Sequence, residues 1–431
     1  MNFALLVFIL SFILVFIVRI PIALGMFMSS IFYFSLAQSP IAEISMVATQ
    51  FLTSLNSSFV LIAVPLFVFM AEIMNSGKVT DMIFSFASAV VGRRRGGLGH
   101  VNVVASIIFS GMTGSALADA SGLGMMEIRA MKKHGYDDGF SCAITAASAT
   151  IGPVFPPSIP MIFYSMLSGA SVGALFMGGM LPGILVGLAL MAYIAYIARK
   201  RNYVRGEKMS FPQFMGITFK AAPALFSVVV LLGGIYTGIV TPTEAGALAS
   251  LYAIIISVFV YRAIGWNDFM KILANTVRTT GVLSLLVGSA YVFSYIVAIE
   301  KIPNVVAEFL LNVTENKYIL LLLINITFII LGMFVDTMTI ILVFIPIVLP
   351  LVESLGIDLV HFGVVITLNM MIGLSTPPFG MLLFVVSGIS GTPLKVVIKS
   401  IFPMLLVLFS VLFLITYVPE LVTFIPDLFG M

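Results

Sequence analysis

Two short stretches gather small, polar and helix-breaking residues inside otherwise apolar sequence: Gly152-Pro153-Val154-Phe155-Pro156-Pro157-Ser158 and Gly373-Leu374-Ser375-Thr376-Pro377-Pro378-Phe379. Proline has no N–H to donate and its ring clashes with the preceding turn. Each Pro-Pro pair therefore leaves carbonyl oxygens free, near Gly152–Phe155 and Gly373–Thr376. Two further stretches, Ser110-Gly111-Met112-Thr113-Gly114-Ser115 and Gly332-Met333-Phe334-Val335-Asp336-Thr337, interrupt apolar runs in the same way. A break and a hairpin tip together can offer five or six neutral oxygens. That donor set suits Na+, and half-helix C-termini favour a cation while N-termini favour an anion. A single proline break could equally be a kink that only shapes packing. Two breaks at matching positions, each accompanied by a Gly-Met stretch, argue for a site.

Asp336 is the only charged residue between Lys317 and Glu353. An unpaired carboxylate at membrane depth costs ~3 kcal/mol or more, so cation attraction, proton coupling or hydrogen bonding to a hairpin tip is expected of it. Ser110, Ser158, Thr337, Thr339 and Asn369 are uncharged groups near the breaks, able to hold carboxylates or hydroxyls of a substrate. Each is, taken singly, also a common helix back-bonder. Asp119, just past the first tip, is expected to cap hairpin backbone, and Glu72 to be interfacial. No enzyme chemistry is visible. His100, His134 and His361 lack metal-ligand spacing, and Ser76-Gly77-Lys78 lacks the glycines and hydroxyl of a phosphate loop. Nothing predicts ATP binding, and Cys142 reads as a packing residue.

The elements that must position these groups follow from composition and repetition. Of 431 residues, 61% are apolar and 9% charged, with mean hydropathy +1.19. Soluble chains carry about 25% charged residues, so the chain is a polytopic helical membrane protein. The net charge of +3 gives no reason to expect a nucleic-acid partner. One offset of 221 residues relates Gly111 to Gly332, Gly152 to Gly373, Pro156-Pro157 to Pro377-Pro378, Pro21 to Pro242 and Gly25 to Gly246. The chain is therefore a duplication. The first repeat, 1–198, has scaffold helices within 1–75, where 1–18 reads as a retained helix rather than a cleaved leader. A hairpin at 98–128, a broken helix at 139–168 and a helix at 174–197 follow. A linker, 199–219, leads to the second repeat, 220–431. There scaffold helices occupy 220–299, near 220–240 and 246–262, then an amphipathic stretch at 267–278 and a helix at 279–299. A hairpin at 320–353, a broken helix at 362–390 and a helix at 400–420 follow. Spans need about 20 residues, so segments of roughly 32 with a polar centre cannot comfortably cross twice. They read as re-entrant hairpins, tolerated only where protein or a watery cavity surrounds their tips. Placing Arg93-Arg94-Arg95 in the cytoplasm puts 19 of 21 basic residues inside, leaving Lys301 and Lys317 outside. The first repeat then starts outside and the second inside: the repeats are inverted.

At segments 109–125, 131–165, 238–254 and 374–390 the chain resembles the large membrane subunit of the tripartite ATP-independent periplasmic (TRAP) transporters. The IGPxxPPSIPM and TPPxGxxLFVxSGI patterns carry the likeness, which extends over essentially the whole chain. The resemblance implies an elevator-type secondary transporter of the bacterial inner membrane. It implies uptake of an organic acid, such as a C4-dicarboxylate or sialic acid, driven by at least two Na+ per cycle. It also implies two partners, a small four-helix membrane subunit on a separate chain and a periplasmic substrate-binding protein. By position it assigns one Na+ site to Thr113, Ser115, Gly152, Phe155 and Pro157, and a second to Gly332, Gly373, Thr376 and Phe379. Phe155 and Phe379 stand where aliphatic residues are expected, a change that backbone ligation tolerates. The alternatives are a stand-alone Na+-coupled divalent-anion transporter and, from another class, a channel or membrane enzyme.

Overall fold

A computed structural model describes residues 3–18, 20–37, 43–56, 60–75, 77–203, 205–206 and 209–430. Among these described residues, twenty-one α-helices follow in chain order. The first repeat has α1 (Phe3–Val18), α2 (Ile22–Leu36), α3 (Ser45–Asn56), α4 (Val60–Met74) and α5 (Gly77–Val91). Its hairpin enters along α6 (Gly97–Thr113) and returns in two pieces, α7 (Ala116–Ser121) and α8 (Leu123–Lys133). The broken helix is α9 (Asp138–Ala149) plus α10 (Ile159–Ser168), and α11 (Val172–Lys200) closes the repeat. The second repeat has α12 (Phe211–Tyr236), α13 (Pro242–Ile255), α14 (Trp266–Ile299) and α15 (Ile302–Val313). Its hairpin is α16 (Lys317–Phe334) with α17 (Thr337–Ser354), and its broken helix is α18 (Leu359–Leu374) with α19 (Met381–Ser390). Helices α20 (Leu394–Tyr417) and α21 (Glu420–Leu428) end the chain.

The 221-residue offset carries α6 onto α16, α9 onto α18 and the break before α10 onto the break before α19. Both Pro-Pro bonds, Pro156–Pro157 and Pro377–Pro378, are cis. Among the described residues, seven helices are long and apolar enough to cross a membrane. The fold is an all-helical membrane architecture of two repeats, each with a hairpin and a proline-broken helix.

Three elements differ from the sequence expectation. The amphipathic stretch 267–278 and the helix 279–299 form one continuous α14, about 50 Å long at 1.5 Å per residue. Nothing between Val277 and Val282 breaks it, because the one glycine there, Gly281, is tolerated in a helix. The returning arm of the first hairpin is cut at Gly122, where an added Cβ would meet the Asn75 side chain 2.1 Å away. Finally, α21 follows α20 and lays Val422 against Gly178 of α11, a close approach that a larger residue at 178 would obstruct.

Polar contacts between distant segments sort by end of the bundle. At the end where the arginines gather, Lys78 donates to the Arg262 carbonyl (2.8 Å), and Lys132 donates to Thr392 Oγ1 (2.9 Å) and the Ser390 carbonyl (3.1 Å). Arg201 and Tyr203 both donate to Asp137 at 2.5 Å. The Tyr203 hydrogen bond, seconded by the Arg201 guanidinium, holds the Asp137 carboxyl below the usual range. Burial and the Asp137 contact push the Tyr203 phenol up to about 12. At the opposite end Tyr33 donates to Glu300 (2.5 Å), Tyr164 to the Leu359 carbonyl (2.8 Å), and His361 meets the Ile415 carbonyl (2.8 Å).

Candidate functional site: two hairpin tips on two broken helices

Each tip is organised by a cap. Ser115 accepts from the Ala118 N–H (3.3 Å) at the start of α7. Its partner under the offset, Asp336, accepts from the Thr339 N–H (3.1 Å) and hydroxyl (2.6 Å) at the start of α17. The breaks are organised likewise. Ser158 caps α10 by accepting from the Met161 N–H (3.2 Å) and donates to the Pro153 carbonyl. Gly380, at φ +51, starts α19 and donates its N–H to the Met333 carbonyl (3.2 Å), tying the second break to the second tip.

The tips sit directly on the breaks. A Cβ at Gly114 would lie 2.6 Å from the Pro157 carbonyl oxygen, and one at Gly152 would lie 3.4 Å from the Ser115 carbonyl carbon and Ala116 nitrogen. In the second repeat Gly332 and Gly373 touch backbone to backbone: a Cβ at Gly373 would lie 2.8 Å from Gly332 Cα. Thr113, Ser115, Gly152 and Pro157 are thus brought together. Among the described hydrogen bonds none ends on the carbonyls of Gly152, Phe155 or Pro157. Thr113 is buried and donates to the Phe109 carbonyl (3.3 Å), which leaves its oxygen lone pairs for a cation. The Phe155 ring turns away and packs on Gly183 of α11. Neutral oxygens of this kind are the donors a bare monovalent cation would take.

The second set is less uniform. Gly332, Gly373 and Thr376 converge, but the Gly373 carbonyl already accepts from the Thr376 N–H (2.9 Å), and the Thr376 hydroxyl donates to the Ile372 carbonyl (2.7 Å). Phe379 is 56% exposed, with its ring against Phe334 and Phe384. Any cation held there would rely on second lone pairs and on the Gly332 and Thr376 carbonyls.

Between the tips lies a cavity of about 120 Å³. It is lined by the first turns of α7 (Ser115, Ala116), α10 (Ile159, Pro160), α17 (Thr337, Met338) and α19 (Met381), with Asp336 at its edge. Helix starts carry partial positive charge and suit an anion, but caps already take the Ala118, Met161 and Thr339 N–H groups. The Thr337 hydroxyl is buried and has no partner among the described atoms. Ser110, Ser158 and Asn369 stand elsewhere. Ser110 back-bonds to the Ser106 carbonyl (2.5 Å), Ser158 is engaged in its cap, and Asn369 donates to Asn325 Oδ1 (2.7 Å).

Sequence reading missed a buried polar chain behind the first tip. Asn102 donates to Glu127 (2.5 Å) and Thr145 (2.8 Å), Ser148 donates to Asn102 Oδ1 (2.7 Å), and Ser106 donates to Ser148 (3.2 Å). Asp119, 1% exposed, stands near Ser106 with neither carboxylate oxygen in hydrogen-bond geometry. It does not make the backbone cap expected of it. The signal was Asn102, Ser106 and Ser110 at four-residue spacing, one stripe along α6.

Paired broken helices and hairpins in inverted repeats around one small cavity define a secondary-transporter class of membrane protein. The fold is shared with the Alcanivorax borkumensis YdaH transporter, whose crystal structure shows an unusual topology: TM-score 0.65, 14% identity, 92% of this chain and 97% of that one. Residues 9–421 match the family described as tripartite ATP-independent periplasmic transporter, DctM component, and the chain belongs to it. It is 41% identical over 369 residues to the sialic acid TRAP transporter large permease protein SiaM of Vibrio cholerae, covering 86% of each. It is 35% identical over 353 residues to the C4-dicarboxylate large permease DctM of Pseudomonas aeruginosa, covering 82% of this chain and 83% of the relative. The isethionate permease DctMQ of Oleidesulfovibrio alaskensis is 36% identical over 92% of this chain, which spans 62% of that longer protein. The chain is accordingly a multi-pass protein of the bacterial inner membrane, from a family of permeases rather than enzymes. The family works with a small permease subunit and a substrate-binding protein.

Proposed function

We propose that this chain takes up an organic acid by Na+-coupled secondary transport, receiving it from a periplasmic binding protein. A small four-helix subunit on a separate chain supports the scaffold, and the hairpins and broken helices move together as an elevator. The observation that carries the reading is the opposed polarity at one place: free carbonyls at Gly152, Phe155 and Pro157 beside a cavity lined by helix starts. Carbonyls attract cations and helix starts attract a carboxylate, so filling one favours filling the other. The relatives named for sialic acid and C4-dicarboxylates supply the substrate class. No step in this scheme needs ATP.

The test is reconstitution of the chain in proteoliposomes with a Na+ gradient and candidate acids. Uptake is expected only when the small subunit and the cognate binding protein are both supplied. Uptake by the large chain alone would overturn the tripartite reading and leave a stand-alone carboxylate symporter.

A further inference from the structure

A second charged site lies far from the tips, where the α5–α6 turn meets the end of α11. Arg93, Arg94 and Arg95 follow α5, Arg199 lies in the last turn of α11, and Arg205 follows it; all five line one pocket of about 490 Å³. Among the described residues no carboxylate lines this pocket, and none of the five arginines forms an ion pair. The nearby Asp137 is engaged by Arg201 and Tyr203.

Basic residues on the cytoplasmic side are ordinary in a membrane protein, but their convergence here is built by the backbone. Arg95 and Arg205 pair as an isolated antiparallel bridge. Gly97 and Gly206 allow both segments to close on the Gly92 carbonyl, where a Cβ would stand 1.9 and 2.3 Å away. Arginine suits phosphate through paired N–H donors.

The pocket is not closed on its membrane side. It shares Ala195 and Arg199 with a shallow, open groove of about 700 Å³ on one face of α11 that also includes Ala192, Tyr196 and Lys200. Tyr196 is 63% exposed, an amphipathic ring of the kind that sits at headgroup level. A free phosphate would use the arginines and leave this apolar groove empty. A phosphate joined to acyl chains would use both.

We propose that the arginine pocket and its groove hold an anionic phospholipid of the cytoplasmic leaflet, its phosphate among Arg94, Arg95, Arg199 and Arg205 and an acyl chain along Ala192 and Tyr196. Basic pockets between helices on the cytoplasmic side are suited to such headgroups.

The test is native mass spectrometry of the full chain with its small subunit, titrated with phosphatidylglycerol, phosphatidylcholine, or glycerol phosphate. One phosphatidylglycerol should bind at least tenfold more tightly than phosphatidylcholine, and millimolar glycerol phosphate should not displace it. Arg94→Gln/Arg199→Gln should weaken that binding at least tenfold. Lys395→Gln/Lys399→Gln, an equal charge loss outside the pocket, should change it less than twofold. Equal losses in the two double variants would overturn the proposal in favour of diffuse attraction. Displacement by glycerol phosphate would overturn the lipid assignment in favour of a soluble phosphate. Absence of binding in the assembled complex, with binding to the isolated chain, would assign the surface to the subunit instead.

Discussion

At the scale of residues, the offset pairs Ser115 with Asp336, and both cap the helix that returns from a hairpin tip. Serine and aspartate are near-equal N-caps, so capping alone does not call for a charge at 336. Asp336→Ser therefore separates the two roles. Its melting temperature should stay within the change that a few tenths of a kcal/mol produces, while uptake should fall at least tenfold. Wild-type uptake with unchanged Na+ dependence would reduce Asp336 to a cap. The glycine pair gives a structural counterpart. A Cβ at Gly373 would strike the Gly332 backbone, which cannot turn aside, whereas one at Gly388 meets nothing within 4 Å. Gly373→Ala should cost about 1–3 kcal/mol, as overpacking typically does, and raise the half-saturating Na+ concentration. Gly388→Ala should do neither, and a Gly373→Ala protein as stable as wild type would contradict the contact. Residues of this kind were legible in sequence because glycine and proline mark backbone geometry. Glu127 and Asn102 were not, since a carboxylate near basic residues reads as interfacial until the fold buries it against α6.

At the scale of elements, hairpins and broken helices could be placed from run length and repetition, while the continuity of α14 could not. Amphipathic and apolar halves look like two elements when periodicity changes, and only the lack of a breaker between Val277 and Val282 argued otherwise. The terminal helix α21 escaped notice because Pro419 precedes so short a stretch and Pro426 lies within it. The hairpin reading has a direct test. Cysteines at Arg94 and Arg129, on either side of the first hairpin, should both resist a membrane-impermeant thiol reagent in intact cells and both react after permeabilisation. A cysteine at Gly169, at the other end of α10, should react from outside. Native Cys142 is buried and adds little background. Labelling of one hairpin flank without the other would show that the segment crosses.

At the scale of the whole molecule, the central claim is coupling: two matched cradles fill with Na+ before the loaded hairpins and broken helices can move. The two cradles differ, because the first presents carbonyls without partners and the second already carries the Thr376-to-Gly373 hydrogen bond. They should therefore differ in affinity, and substitutions on one should leave the other able to bind. The measurement that bears most directly on this is initial uptake rate against Na+ concentration in proteoliposomes holding the complete system. Membrane potential should be fixed by valinomycin and any proton gradient collapsed. Wild-type uptake should be absent without Na+ and sigmoidal in it, with a Hill coefficient approaching 2. Thr113→Ala and Gly373→Ala should each move the curve to higher Na+. Full uptake in Na+-free medium driven by a proton gradient, or a hyperbolic Na+ curve, would contradict the account.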